Sequence, residues 1–129
     1  GPPVGRHGVG RRADQVVLAP GSLFTSVLAV LAVPAIRDAV AGAAGRVVQV
    51  ANLAPEPEAS GLTVAEHVGL VASRLGRLDV VLHDPQAPLR IAGAGAADLG
   101  PALAEAALLA VDGRSHDPRR LARAVASLM

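Results

Sequence analysis

The sequence predicts an α/β protein in which helices cover both faces of a mostly parallel sheet. Three short apolar stretches, at residues 16–19, 46–52 and 78–83, are rich in valine and carry few charges, which is typical of strands buried on both faces. Longer stretches with helical periodicity separate them, so strands and helices alternate along the chain. This alternation predicts a three-layer α/β/α arrangement with a Rossmann-like sheet.

The composition limits the classes of function that the chain can have. Hydrophobic residues make up 51% of its 129 residues, but they are almost all Ala, Val and Leu, with one Phe and no Tyr, Trp or Cys. The formal net charge is +1, so neither charge nor aromatic stacking favours a nucleic-acid partner. The lack of cysteine excludes disulfides and zinc–cysteine sites. We expect one domain at residues 13–129, after a mobile Gly- and Arg-rich segment at residues 1–12.

The first strand ends in a turn that has the character of an anion site. Pro20 and Gly21 follow the predicted strand at 16–19, and a helix is expected to begin close to Ser22 and Thr25. Unpaired N–H groups at a helix start favour negative charge, so a phosphate could bind at this corner. Similar corners also occur in α/β proteins that bind nothing there. The pattern is neither a P-loop nor a Gly-x-Ser-x-Gly nucleophile elbow.

An uncharged stretch from Val16 to Ile36 is long enough to raise the question of a membrane-spanning helix. Pro20 and Pro34 interrupt it, so we do not expect membrane insertion. A buried helix is expected after Thr25 instead, and Pro34 should start a second helix. The positions predicted to be buried in these two helices are Val27, Leu28, Val30, Leu31, Val33, Ile36, Val40 and Ala44.

The middle of the chain continues with a polar loop at residues 53–62 and a third helix. Thr63 and Glu66 have the spacing of a capping box, and Gly76 ends the helical pattern. His67 lies in the first turn of this helix, where a packing role and a ligand-binding role are both open.

A weak metal signal follows the third strand. His83 and Asp84 stand at its carboxyl end, but no third ligand has a suitable spacing. The acidic residues elsewhere, among them Asp14, Glu56 and Glu58, form no clear cluster.

The last part of the chain is less regular until its final helix. Residues 89–92 have the pattern of a short strand, and residues 101–111 have a helical composition in which 108–111 could equally be a buried strand. Asp117 as N-cap and Pro118 at the first helical position predict an amphipathic C-terminal helix. Its apolar face comprises Leu121, Val125 and Leu128.

Four stretches of the sequence, at residues 13–28, 33–36, 48–53 and 63–68, closely resemble the CofD-like family. The run Pro-Gly-Ser-Leu-Phe-Thr-Ser at residues 20–26 is similar to its gluconeogenesis-factor (YvcK-like) branch. The run from Asp112 to Pro118 is similar to the family's ending, which favours a strand at 108–111. The resemblance extends from Ala13 onward but corresponds only to the C-terminal half of such a protein. The N-terminal half of the family, with its Gly-Gly-Gly-Thr-Gly loop, has no counterpart in this sequence.

The resemblance implies a cytoplasmic protein that binds a nucleotide or a nucleotide-sugar such as a UDP-sugar. Such a protein would regulate central carbon metabolism, cell-wall growth and cell shape. Carried onto this sequence, the resemblance assigns no catalytic residue and no metal ligand. The residues that it places at the ligand are Gly21, Ser22, Thr25, Ser26, Asn52 and His67. Leu62 stands where the family branch has a Tyr able to stack on a base, which weakens this expectation.

Two alternatives stay open from the sequence. The chain could be an enzyme of the family's transferase branch, which moves a phosphate-linked group onto a deazaflavin precursor with Mg²⁺. It could also be an inactive truncated fragment whose apolar surface is covered by a partner, either another copy in a homo-oligomer or the missing N-terminal half.

Overall fold

A four-stranded parallel sheet organises the part of the chain that the computed structural model describes, which is residues 15–21, 26–54, 63–89 and 100–129. The strands follow the order β1-β2-β3-β4 across the sheet. The elements are β1 Gln15–Leu18, α1 Leu28–Leu31, α2 Pro34–Ala41, β2 Arg46–Val50, α3 Val64–Leu75, β3 Val80–His83, β4 Ala102–Glu105 and α4 Pro118–Ser127. The predicted α/β fold with a parallel sheet is therefore confirmed.

Helices cover both faces of this sheet. Successive residues of each strand point to opposite sides, so each strand contributes side chains to the packing on both faces. On one face, Val47 of β2 packs with α1 and α3, and Val81 of β3 packs with α3. On the other face, Val48 of β2 and Leu82 of β3 pack with Ala124 of α4. The three layers give a core of small aliphatic side chains, as the composition requires.

Local sequence signals set the helix ends where we predict them. The Thr63 hydroxyl accepts a hydrogen bond from the Glu66 N–H at 3.3 Å, and the Glu66 carboxylate accepts one from the Thr63 N–H at 3.0 Å. Gly76 ends α3 with a φ of 78°, a left-handed conformation that glycine adopts readily. Asp117 caps α4 by accepting hydrogen bonds from two N–H groups of its first turn.

Arg77 joins the turn before β2 to the segment before β3, at the amino ends of the strands. The Arg77 guanidinium donates hydrogen bonds to the carbonyls of Ala43 and Gly45 and to the Asp79 carboxylate, 2.7 Å away. The same carboxylate accepts the Val47 N–H at 2.7 Å. Burial raises the pKa of Asp79, but these hydrogen bonds and the arginine charge together lower it by a larger amount. The net shift of this pKa is therefore downward. The network fixes the turn between α2 and β2 against β3.

The first two helices are less buried than we predict. Leu28 and Leu31 face the core, but Val30 is 49% exposed, and Val33 and Ile36 are also exposed. The prediction that α1 is buried on nearly all sides is therefore wrong, as are the inward orientations of Ile36 and Ala44. The reason is that α1 and α2 pack inward on each other and on α3, and no further described layer covers their outer side.

The segment after β3 also differs from its prediction. The fourth strand is Ala102–Glu105, which pairs with β3, so a helix at 101–111 and a strand at 108–111 are both wrong. Leu108 is buried. However, the N–H groups of Leu108 and Leu109 donate hydrogen bonds to the Asp84 carboxylate and not to the carbonyls of a neighbouring strand. Leu109 forms only an isolated antiparallel bridge with His116.

Some predictions fall outside the described residues. These are the mobile segment at 1–12, most of the polar loop at 53–62, and residues 90–92 of the short strand. Among the helices of the described ranges, none has the length and apolar character needed to cross a membrane.

Candidate functional site

The carboxyl ends of β1 and β2 are joined by the side chain of Asn52. Its Oδ1 accepts a hydrogen bond from the Gly21 N–H at 3.0 Å, and its Nδ2 donates one to the Gly21 carbonyl at 2.8 Å. The amide thus pairs with both polar groups of one residue that lies 31 positions earlier in the chain. The contact fixes the Pro20–Gly21 turn at the edge where ligands bind in open α/β sheets.

The structure brings together those predicted ligand residues that it describes, Gly21, Ser26, Asn52 and His67. Gly21 and Asn52 are in direct contact, and His67 lies beside them, buried at the start of α3. These three residues line a small internal space of about 10 Å³ together with Gln49, whose buried Oε1 has no hydrogen-bond partner within the described ranges. Ser26 lies beside Gly21, because both line a neighbouring groove along β1 and a Cβ added at Gly21 would lie 3.7 Å from the Cβ of Ser26. Ser22 and Thr25 lie outside the described residues.

A hairpin-like turn at residues 109–116 supplies a second group of polar side chains. Asp112 organises it, because its carboxylate accepts the N–H groups of Arg114 at 2.8 Å and Ser115 at 2.9 Å. The Ser115 hydroxyl also donates to this carboxylate at 2.6 Å. These hydrogen bonds lower the pKa of Asp112 to about 2. Gly113 takes a φ of 69°, so the turn needs glycine at this position.

His116 closes the turn and points to the same edge of the sheet. Burial lowers its pKa, an effect that a hydrogen bond with the Ala51 backbone and the charge of Asp84 only partly offset. Its imidazole is therefore neutral at neutral pH. The buried Nε2 of His116 has no hydrogen-bond partner among the residues that the structure describes. This atom lacks the partner that buried polar atoms normally have.

These two groups form the walls of one open cleft of about 350 Å³. The Pro20–Gly21 turn and the segment after β2 form one side, and the turn at 109–116 forms the other. The lining residues are Pro20, Gly21, Asn52, Leu53, Ala54, Arg114, Ser115 and His116. Arg114 is the cation of this lining, and Pro20 and Ala54 add apolar surface. The cleft is within the size range of small-molecule sites.

Our sequence analysis does not identify Arg114, Ser115 and His116 as site residues. A signal was present, because the Asp112-Gly113 turn precedes a basic residue and a histidine. It could not be read as a site, since the position of this turn across the cleft from Asn52 depends on how the chain returns from β4 toward β2.

His83 and Asp84, the pair with a weak metal signal, are both buried and engaged with the backbone. Asp84 accepts N–H groups from Gln86, Leu108 and Leu109 at 2.8–3.0 Å. Burial raises the pKa of Asp84, but these hydrogen bonds lower it by a larger amount, so the net shift of this pKa is downward. His83 Nε2 lies 3.2 Å from the Leu89 carbonyl. Within the described ranges, no group of three or more His, Cys, Asp or Glu side chains is placed to hold a metal ion.

Comparison with protein families gives one match over most of the chain. Residues 11–108 match the model of the family described as 2-phospho-L-lactate transferase CofD. The chain is 36% identical over 135 aligned residues to a Deinococcus radiodurans protein named as a gluconeogenesis factor. It is 37% identical over 67 aligned residues to the gluconeogenesis factor of Halalkalibacterium halodurans.

The chain corresponds to only part of these relatives. The Deinococcus radiodurans match covers 92% of this chain but 29% of the relative, and the Halalkalibacterium halodurans match covers 51% and 21%. Among solved structures, the protein BH3568 from Bacillus halodurans superposes with a TM-score of 0.82 at 23% identity. That superposition covers 94% of this chain and 45% of the solved chain, and it supports the fold.

Proposed function

Because the chain belongs to the 2-phospho-L-lactate transferase CofD family, we propose that it binds a nucleotide or a nucleotide-sugar, in the first place a UDP-sugar. The observation that carries the proposal is the cleft between the Asn52–Gly21 pair and the turn at 109–116. It lies at the carboxyl ends of parallel strands, where open α/β sheets bind ligands. It also combines a cation, an unpartnered buried imidazole nitrogen and apolar walls.

Each part of this ligand has a matching group in the cleft. The Arg114 guanidinium can pair with phosphate oxygens in a bidentate manner. The imidazole of His116 lines the cleft and can form a hydrogen bond with a hydroxyl or carbonyl of the sugar or base. Pro20 and Ala54, which are both partly exposed, provide an apolar surface for one ring face. The Gly21 N–H already donates to Asn52, so Arg114 is expected to carry the phosphate contact instead of the Gly21 backbone.

The physiological role in the proposal is that of a binding and regulatory protein of the gluconeogenesis-factor type. Support comes from the names of the relatives, which are gluconeogenesis factors. A link to central carbon metabolism, cell-wall growth and cell shape, and action in the cytoplasm, belong to the same proposal. The chain covers 29% of the Deinococcus radiodurans relative.

Scanning calorimetry of the full chain with and without UDP-glucose tests the binding. At a ligand concentration ~100 times the dissociation constant, binding to the folded state adds about 2.7 kcal/mol of stability. Replacing Arg114 with Ala should remove most of this gain. The matched control is Arg74→Ala, which removes an exposed arginine of α3 outside the cleft.

Two results would reject the proposal. One is the absence of stabilisation by UDP-glucose, UDP and GDP alike. The other is stabilisation that Arg114→Ala and Arg74→Ala reduce equally. Mg²⁺-dependent turnover of a guanylylated donor with a deazaflavin precursor would instead support the transferase alternative.

A further inference from the structure

A groove beside the last helix takes no part in the proposed ligand cleft. It has a volume of about 460 Å³ and lies between α4 and the segment that follows β4. Its lining residues are Ala106, Ala107, Arg120, Arg123 and Ala124, and none of them lines the cleft. We call it the α4 groove. Its walls combine positive charge with small apolar side chains.

The arginines of α4 lie where the helix itself disfavours positive charge. Arg119 and Arg120 belong to its first turn, at the positive end of the helix dipole, and α4 contains no acidic residue. Arg123 follows them at the i+4 and i+3 spacings, where like charges on a helix repel each other. These positions cost stability, so helix formation does not account for the cluster. Local conflicts of this kind are typical of functional surfaces.

The two arginines of the groove keep most of their hydrogen-bonding capacity. Both are exposed, and neither pairs with a carboxylate among the described residues. Asp117, which precedes the helix, caps its N–H groups and does not line the groove. Arg120 donates one long hydrogen bond, of 3.4 Å, to the Leu109 carbonyl. The remaining guanidinium N–H groups can bind the oxygen atoms of a partner.

Alanines form an apolar floor between these cations. Ala106 and Ala124 pack against the core, which fixes the floor in place. Methyl groups let another backbone approach closely, and a guanidinium at the rim can bind a carboxylate in a bidentate manner. A polypeptide that carries carboxylates beside small aliphatic side chains complements both features.

We propose that the α4 groove binds an acidic segment of a second protein. Carboxylates of this segment pair with Arg120 and Arg123, and its aliphatic side chains cover the alanine floor. Charge complementarity selects this occupant. A nucleic acid fits less well, because the formal net charge is +1 and the chain has one aromatic residue for stacking. The interaction goes beyond ligand binding in the cleft and does not depend on it.

Fluorescence anisotropy with the full chain tests the proposal. The probe is a fluorescein-labelled peptide of glutamate and alanine residues, and the comparison peptide carries glutamine in place of glutamate. We expect the glutamate peptide to bind at least about tenfold more tightly at low salt. This difference should shrink at high salt, because salt screens exposed charges.

Substitutions locate the binding surface. The double variant Arg120→Gln with Arg123→Gln should bind the glutamate peptide at least about tenfold more weakly, because it removes both cations of the groove. The matched control is Arg74→Gln, at an exposed arginine of α3, and it should leave the affinity unchanged.

The stability of one variant separates a binding role from a structural one. Because Arg123 lies at repulsive spacings from two other arginines, Arg123→Gln should leave the melting temperature unchanged or raise it. Circular dichroism measures this temperature and checks that the helix forms. A clearly lower melting temperature would show that the arginine supports the fold, and would overturn the proposal.

Three binding results would also overturn it. The first is the same affinity for the glutamate and glutamine peptides, including no binding of either at low salt. The second is equal weakening by the double variant and by Arg74→Gln, since the attraction would then not be located at the groove. The third is a fluorescein-labelled DNA duplex that binds more tightly than the glutamate peptide, since the partner would then be a nucleic acid.

Discussion

Asn52→Ala is the substitution that most directly probes how the candidate site is built. It removes two hydrogen bonds to Gly21, at 3.0 and 2.8 Å, both partly buried. At about 1 kcal/mol of net stability for each bond, we expect the free energy of unfolding to fall by about 2 kcal/mol. For a chain of this length, that corresponds to a decrease of about 6–8 °C in the melting temperature. Asn52→Asp should be destabilised at least as much, because its carboxylate would face the Gly21 carbonyl.

Thermal unfolding followed by far-ultraviolet circular dichroism is the suitable assay, because the chain contains no Trp or Tyr for fluorescence. Asp38→Ala serves as the control, since Asp38 forms only an exposed ion pair with Arg37. We expect that control to change stability by less than about 0.5 kcal/mol. A change for Asn52→Ala as small as that of the control would refute the view that Asn52 holds the Pro20–Gly21 turn.

Two further predictions concern the partly buried network of Arg77 and the buried carboxylate of Asp84. Arg77→Lys should lower the free energy of unfolding by about 2 kcal/mol in urea unfolding, because an ammonium group cannot reach the several carbonyls that the guanidinium bonds. The pKa of Asp84 in the folded state is lower than its ordinary value of 3.8, so the ionised carboxylate stabilises the fold at pH values above 3.8. This stabilisation is lost as the pH falls through the folded-state pKa. Asp84→Asn should therefore be less stable than the parent at neutral pH, with a difference that shrinks as the pH falls below 3.8. A difference independent of pH would contradict this.

The elements that could be predicted from sequence are those defined by local signals. The start and end of α3 depend on the pairing of Thr63 with Glu66 and on Gly76, all within the helix or next to it. The N-cap of α4 depends on Asp117 in the same way. The strands β2 and β3 follow from their apolar runs, whose residues are buried on both faces.

The parts that could not be predicted depend on contacts between distant residues. The chain at 108–109 leaves the sheet because its N–H groups bond to Asp84, 24 and 25 positions earlier. The same return path brings Arg114 and His116 opposite Asn52, which no spacing along the sequence reveals. The exposure of Val30 has a related origin: helical periodicity predicts an apolar side chain, but not whether another layer lies over it.

The measurement that tests the central claim most directly is a titration of the full chain with UDP-glucose followed by amide NMR. The account predicts saturable shifts confined to the two walls of the cleft, at Gly21, Asn52, Leu53 and residues 114–116. Arg114→Ala should reduce the affinity without moving the location of the remaining shifts. Saturable shifts that centre elsewhere, for example on the cavity beside Arg120 and Arg123 of α4, or a spectrum that does not change at all, would contradict the assignment of this cleft as the ligand site.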